Sequence, residues 1–151
     1  MIQVAIIGTA GRGYNIKKLD KTVFDKMVKK AKKIIEKQFK LKLEDVELVS
    51  GGAAWCDHIA VELFNSNYVN KLVLHLPAKF VDGKHEEGYA GSVANGYHTL
   101  FSKKMGRDTQ LDIKTAIEAG ATVIDKYWGF KIRNTHVAKS DYIIAFTFWE
   151  R

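Results

Sequence analysis

Two glycine-rich runs stand where backbone would have to come close to a ligand. Gly8, Thr9, Ala10, Gly11, Arg12 and Gly13 follow one short apolar stretch, and Ser50, Gly51, Gly52, Ala53 and Ala54 follow another. With no side chains in the way, backbone N–H groups approach an anion closely, and a helix starting just beyond adds a favourable dipole. The chemistry implied is the cradling of phosphate. Neither run is a standard fingerprint. The first reads G-x-x-G-x-G instead of G-x-G-x-x-G, the second ends its strand in Ser50 where a dinucleotide site carries an acid, and G-x-x-x-x-G-K-[ST] is absent. These mismatches argue against NAD and against an ordinary ATPase or GTPase loop. What is left is a nucleotide-like ligand on two adjacent anion cradles, or else two tight turns with no ligand. Lys131, Arg133 and Asn134 form a third candidate. Arg133 either offers a guanidinium to phosphate or ribose oxygens or pairs with a surface acid such as Asp125.

Other reactive residue types fit weaker patterns. Of His58, His75, His85, His98 and His136, no two have the i, i+4 spacing that sets two imidazoles on one helical face, so no metal site is expected. His85 with Glu86 and Glu87 reads either as a cation or proton-transfer site or as a charged exposed loop. Cys56 stands near a helix start with no partner base in sequence, which suits a small packing residue, and Asp57 suits a first-turn acid favoured by the helix dipole. Trp55, Tyr97, Tyr127, Trp128, Phe130 and Trp149 are candidates to stack on a base. Tyr97 and His98 are the expected ligand contacts from outside the strand ends.

These residues need a scaffold that gathers strand ends. Branched apolar runs predict strands at Gln3 to Ile7, Val46 to Ser50, Leu72 to Leu76, Ala121 to Ile124 and Tyr142 to Phe148. Helices are predicted from about Asp20 to Phe39, Ala54 to Phe64, Val93 to Lys104, Thr109 to Ala119 (capped by Asp108 and ended by Gly120) and Arg133 to Lys139. Alternation of this kind implies right-handed crossovers and a three-layer α/β fold, its mainly parallel sheet of about five strands covered by helices on both faces. Pro77 to Ser92 is too long for a plain connection and reads as a functional loop or lid.

Length and composition suit this plan. The 151 residues, 46% apolar and with a single proline, fit one folded domain and not a disordered chain. No run is long enough to span a membrane. The N-terminal stretch reads as a first strand and not a signal peptide, and the lone Cys56 fits a reducing compartment; a cytoplasmic location is expected. The net charge is +7, and residues 17–42 carry eleven lysines against three acids, so the rest of the chain is close to neutral. On a helix, Lys26, Lys29, Lys30, Lys32, Lys33, Lys37 and Lys40 share one side, opposite Phe24, Met27, Ala31 and Ile35. That face is either simply solvated or a patch for loose, sequence-independent attraction to nucleic acid. It holds no arginine or aromatic for base readout.

Together, the glycine turn after the first strand, SGGAAWCDHIAVELF, KLVLHLP and RNTHVAKSDYIIAFT resemble the SLOG superfamily of Rossmann-like domains. That group includes the DNA-processing protein A domain, Lonely Guy type nucleotide phosphoribohydrolases and sensors of nucleotide-derived messengers. The resemblance spans the chain except about residues 81–107. It implies that Gly8, Thr9, Gly11 and Arg12 line a ligand, that Ser50, Gly51 and Gly52 hold phosphate, that Asp57 sits on the first turn of the following helix, and that Arg133 and Asn134 stand at the family's arginine position; Gly13, in the same turn as Gly11, is a further candidate ligand contact. No cofactor is implied. Where the phosphoribohydrolases have P-G-G-x-G-T and a glutamate, this chain has Thr147, Phe148, Trp149 and Glu150, a departure from the motif. An enzymatic version is N-glycosidic cleavage of a nucleoside monophosphate, with Arg133 at the phosphate and Asp57 or Glu150 stabilising an oxocarbenium-like centre or activating water. A homo-oligomer joined through Trp128 and Trp149 is a further expectation.

Overall fold

The computed structural model describes residues 1–126 and 130–147. Its centre is a five-stranded parallel sheet in the order β6-β3-β2-β1-β7, made of β1 (Ile2–Gly8), β2 (Val46–Ser50), β3 (Lys71–His75), β6 (Thr122–Ile124) and β7 (Tyr142–Phe146). Ile2 pairs with Val46, Glu47 with Lys71, Val73 with Thr122, and Val4 with Tyr142. The α/β fold expected from the strand and helix alternation is therefore present. From β1 the chain steps outward through β2 and β3 to β6, then returns to lay β7 beside β1. The reversal makes the gap between the β1 and β7 carboxyl ends the switch point, where open α/β sheets bind ligands.

Alternation along each strand divides the core. Val4, Ile6 and Leu48 face a large cluster with Phe24 and Met27 of α1 (Lys21–Lys33), Ile59 and Leu63 of α2 (His58–Asn65), Phe101 of α3 (Tyr89–Met105), and Ile113 and Ala116 of α4 (Thr109–Glu118). Ala5 and Val49 point the other way, onto Val137 of α5 (Phe130–Val137). Among the described helices, four cover one face and α5 the other.

The ends of the elements follow local chemistry. Asp20 caps α1 by accepting from the Val23 N–H at 2.8 Å, and Asp108 caps α4 by accepting from Gln110 and Leu111. The helix expected to run to Phe39 loosens after Lys33 into one π turn, Ile34–Gln38. The predicted irregular stretch is partly ordered. It holds a small antiparallel hairpin, β4 (Phe80–Val81) and β5 (Lys84–His85), and α3 begins at Tyr89, four residues before its expected start. Gly91 allows this: a Cβ there would run into the Glu86 carbonyl oxygen, so only a bare backbone lets α3 pack on the hairpin's exit. The last helix is already formed at Phe130, before the expected Arg133, and β7 ends at Phe146. Phe148 lies outside the described residues.

Candidate functional site

The loop after β1 and the loop after β2 are built as one unit. Gly8 has φ +150°, and a Cβ on it would meet the Phe146 carbonyl oxygen and, at 2.8 Å, the Cys56 sulfur. The Cys56 N–H donates to the Thr9 carbonyl, while the Thr9 hydroxyl accepts from the Gly11 N–H and the Asn15 amide, both at 3.1 Å. Gly11 lies over the indole of Trp55. Trp55, a fully buried non-glycine residue at φ +64°, opens the 3-10 turn Trp55–Asp57 and packs on Phe101. Such backbone strain persists only where the surroundings enforce it. Here the enforcement is the packing of the two loops.

A cavity of about 710 Å³ opens at the switch point, walled by Ile7, Gly8, Thr9, Ala10, Arg12 and Asn15 on the β1 side, Ala53 and Asp57 below, and Arg133, Asn134, Val137, Ala138, Ile143 and Thr147 on the α5 and β7 side. That size suits a small organic ligand. Beside it lies a smaller cavity of about 100 Å³, which shares Ala10, Arg12, Ala53, Arg133 and Asn134 and adds Gly51, Gly52, Pro77, His85 and Tyr97 among its walls.

Arg133 sits between the two. It is buried, its Nη1 donates to the Gly51 carbonyl, 82 positions earlier in the chain, at 2.6 Å, and its guanidinium lies 5.3 Å from the centre of the Phe130 ring. Burial lowers its pKa, and the nearby Asp57 carboxylate partly restores it. Asp57 is also buried. Its pKa is pushed up to about 6 by desolvation, against the lowering effect of Arg133 and of backbone hydrogen bonds from Ala53 and Gly51. A Cβ on Gly51 would strike both groups, the Asp57 carboxylate oxygen at 2.7 Å. A guanidinium and a carboxyl with a pKa of about 6, both walls of the large cavity, thus share one glycine. The pairing of Arg133 with Asp125 does not form; its charged neighbour is Asp57.

The remaining sequence candidates divide by what their polar atoms touch. Gly8, Thr9, Arg12 and Asn134 line the large cavity, Gly51, Gly52 and Tyr97 the small one, and the Arg12 guanidinium stands 5.8 Å from the centre of the Tyr97 ring. Ser50 reaches neither. Its buried hydroxyl donates to the Asp57 carbonyl at 2.7 Å and accepts from the Gly52 N–H at 3.0 Å, so both are committed to shaping the loop instead of meeting an anion. Gly11 is spent on Trp55, and Gly13 is exposed at the start of the 3-10 turn Gly13–Lys18. His98 also misses the cavities: its Nε2–H donates to the Gly52 carbonyl at 2.8 Å and its Nδ1 accepts from the Thr109 hydroxyl at 2.9 Å. It supports the second loop from below. Glu150, Tyr127, Trp128 and Trp149 lie outside the described residues. The Cys56 thiol is pushed up to about 12 by burial and by the Asp57 charge, which suits a packing residue and not a nucleophile.

His85 is the residue the sequence placed worst. It is 2% exposed, held by the Gln110 and Asn95 side chains on α4 and α3, whereas Glu86 and Glu87 beside it are exposed. No sequence signal marks it, because its partners lie 10 and 25 positions away. A second, partly buried network runs behind it. The Asp112 carboxylate accepts from Arg107 at 3.0 Å and meets His58 Nε2 at 2.9 Å, and these two partners hold it below the usual carboxylate range despite its burial.

Buried histidines dictate a pH response. His98 is driven down to about 3 by burial and by His58, and His75 and His85 are lowered too, burial being the main cause in each. Between pH 3 and 6.5 the unfolded chain binds protons that these rings refuse, so stability rises with pH there and is lost on acidification. Asp57 acts oppositely: its folded form holds a proton up to about pH 6, so its share of stability falls as pH rises from about 4 to 6. Urea midpoints measured from pH 4 to 7 are expected to climb, and to climb more steeply in Asp57→Asn. Parallel profiles for the two proteins would contradict a raised Asp57.

The Asp57 and Arg133 arrangement is carried by a chain with a relative of known sequence. A protein of Acanthamoeba polyphaga mimivirus, designated R261 and uncharacterized, is 36% identical over 154 aligned positions that take in 99% of this chain and 84% of the viral protein. No family model matches the chain, and no solved structure matches it. Among the described residues, no helix is long and apolar enough to cross a membrane.

Proposed function

We propose, for a chain that belongs to the same family as the mimivirus protein, that it binds a phosphorylated, nucleotide-type ligand in the switch-point cleft. The observation that carries this reading is the approach of Arg133 and Asp57, both walls of the 710 Å³ cavity, to a single glycine, Gly51. Arg133, with Arg12 at the rim, supplies fixed positive charge and planar donors for phosphate oxygens. The glycine loops supply the close approach of backbone. The resemblance to SLOG domains points the same way.

The enzymatic form of this reading is hydrolysis of the N-glycosidic bond of a nucleoside monophosphate. Water forms the new bond to the anomeric carbon as the bond to the base breaks, the water proton passes to the Asp57 carboxylate, and the departing base takes up a proton. A carboxyl with a pKa of about 6 is matched to such transfer near neutrality.

The test is a thermal-shift titration with nucleoside monophosphates, cyclic nucleotides and ADP-ribose. A ligand at 100 times its Kd adds about 2.7 kcal/mol, which for a domain of this size raises Tm by roughly 8 °C. At least one of the panel is expected to do so, and release of free base from it decides between binding and turnover. No shift with any of them overturns the reading.

A second reading rests on a different observation. Lys26, Lys29, Lys30, Lys33 and Lys37 are exposed on α1 and its π turn, and none of them lines either cavity. This face would attract nucleic acid through phosphate contacts alone, so binding would weaken steeply with salt and vanish on reversing Lys29, Lys33, Lys37 and Lys40 to glutamate. Binding that survives both changes rules it out.

A further inference from the structure

His85 is clamped from every side but one. Its backbone N–H donates to the Asn95 amide oxygen at 2.9 Å, its carbonyl accepts from the Asn95 amide nitrogen at 2.8 Å, and its ring stands edge-on to Phe80 and stacked on His98. Nδ1 donates to the Gln110 side-chain oxygen at 3.0 Å. That bond places the ring proton on Nδ1 and leaves Nε2 with a free lone pair. Nε2 is buried and meets no protein partner, and His85 is a wall of the small cavity. Arg133, a wall of the same cavity, also carries a buried nitrogen without a partner, Nε, which can only donate.

Buried polar atoms are normally satisfied, so an acceptor and a donor orphaned on one cavity call for an occupant with both capacities. A hydroxyl has them. The volume, about 100 Å³, leaves room for a group of several non-hydrogen atoms but not for a whole nucleotide. Through Arg12, Ala53, Arg133 and Asn134 the small cavity adjoins the large one, so one ligand can occupy both. We infer that the small cavity is a sugar-hydroxyl subsite, in which a hydroxyl of a phosphorylated sugar donates to Nε2 of His85 and accepts from Nε–H of Arg133. Burial, against the raising effect of the Gln110 and Asn95 side chains and with the help of the Arg133 charge, lowers the imidazole pKa and so favours the neutral form that an acceptor needs. The inference rests on the reading of the cleft as a phosphate site and adds what distinguishes one phosphoester from another.

Calorimetry with three probes, ribose 5-phosphate, methyl phosphate and inorganic phosphate, separates the two ideas. The wild-type protein is expected to bind ribose 5-phosphate about tenfold more tightly than either hydroxyl-poor probe, the worth of one or two buried hydrogen bonds. In His85→Asn the amide nitrogen takes over the Nδ1 bond to Gln110 while the Nε2 acceptor is gone. Ribose 5-phosphate should weaken to the level of methyl phosphate, with inorganic phosphate unchanged. In His85→Gln the amide oxygen reaches the position of Nε2, and most of the preference should return. Equal binding of ribose 5-phosphate and methyl phosphate by the wild type overturns the subsite whether or not the variants fold, and so does an equal loss of all three probes in His85→Asn. Binding of none of the probes removes the phosphate reading of the cleft, and the subsite with it.

Discussion

Arg133→Met is expected to weaken binding of any phosphorylated ligand by about 100-fold, which is the loss of one or two charge-assisted hydrogen bonds. Methionine keeps most of the length and the apolar stem, so the contact of the stem with the wall is largely retained while the charge and the Gly51 bond go. A second effect follows from the neighbour. Asp57 already sits at about 6 because burial outweighs Arg133, and removing the guanidinium deletes the main factor holding it down. In the variant its carboxyl should stay protonated through pH 7, visible as a shift of its carboxyl carbon resonance and as a higher pH range for its part in the unfolding profile. Arg133→Lys restores charge without the planar fork and is expected to recover only part of the affinity. Unchanged affinity in Arg133→Met, measured with a ligand found in the thermal-shift panel, would remove Arg133 from the site.

Gly8→Ala should produce the largest loss of stability, roughly 3 kcal/mol or more, from the strain of its backbone conformation combined with overpacking. The added Cβ would meet the Phe146 carbonyl oxygen and both heavy atoms of the Cys56 side chain, and Gly8 lies in a strand hydrogen-bonded on that side, so the backbone has little freedom to retreat. Gly13→Ala is the control. It also has positive φ, +55°, but a Cβ there meets nothing within 4 Å, so only the conformational cost of about 1 kcal/mol remains. Urea denaturation of the two variants distinguishes the explanations. If they lose the same stability, the close approach of the β1 and β2 loops is not what requires glycine at position 8.

The order of elements was readable because it depends on local patterning. Short branched runs such as Val46–Ser50 and Tyr142–Phe146, each followed by a glycine or polar break, can be recognised one at a time. Boundaries failed where packing, and not the local pattern of residue types, decides them. The first turn of α3 needs Gly91 against Glu86, and the π turn after Lys33 has no local signature. The strand-end principle located Gly8, Thr9, Arg12, Asp57 and Arg133 near one another, but it could not tell which of the loop residues face inward. Ser50 read as a ligand contact because it opens a glycine run, and His98 because it lies on the helix behind the long loop, whereas here both bond the loop's own Gly52 groups. His85 was hidden for the converse reason: its neighbours in sequence are charged and exposed, and only the packing of the hairpin against α3 and α4 buries it.

The position of the cleft between β1 and β7 has a kinetic meaning. Its walls come from the opening strand and from the closing helix and strand, regions whose contact spans 138 positions between Gln3 and Asp141. A contact of that span is entropically the most expensive for a folding chain to close and among the slowest to form. A molecule seated there touches both sides and so acts as a non-covalent staple across that closure. Its chief effect on the protein would be to slow the peeling of β7 from β1, lengthening the lifetime of the native state by up to the full factor that its binding adds to the folding equilibrium.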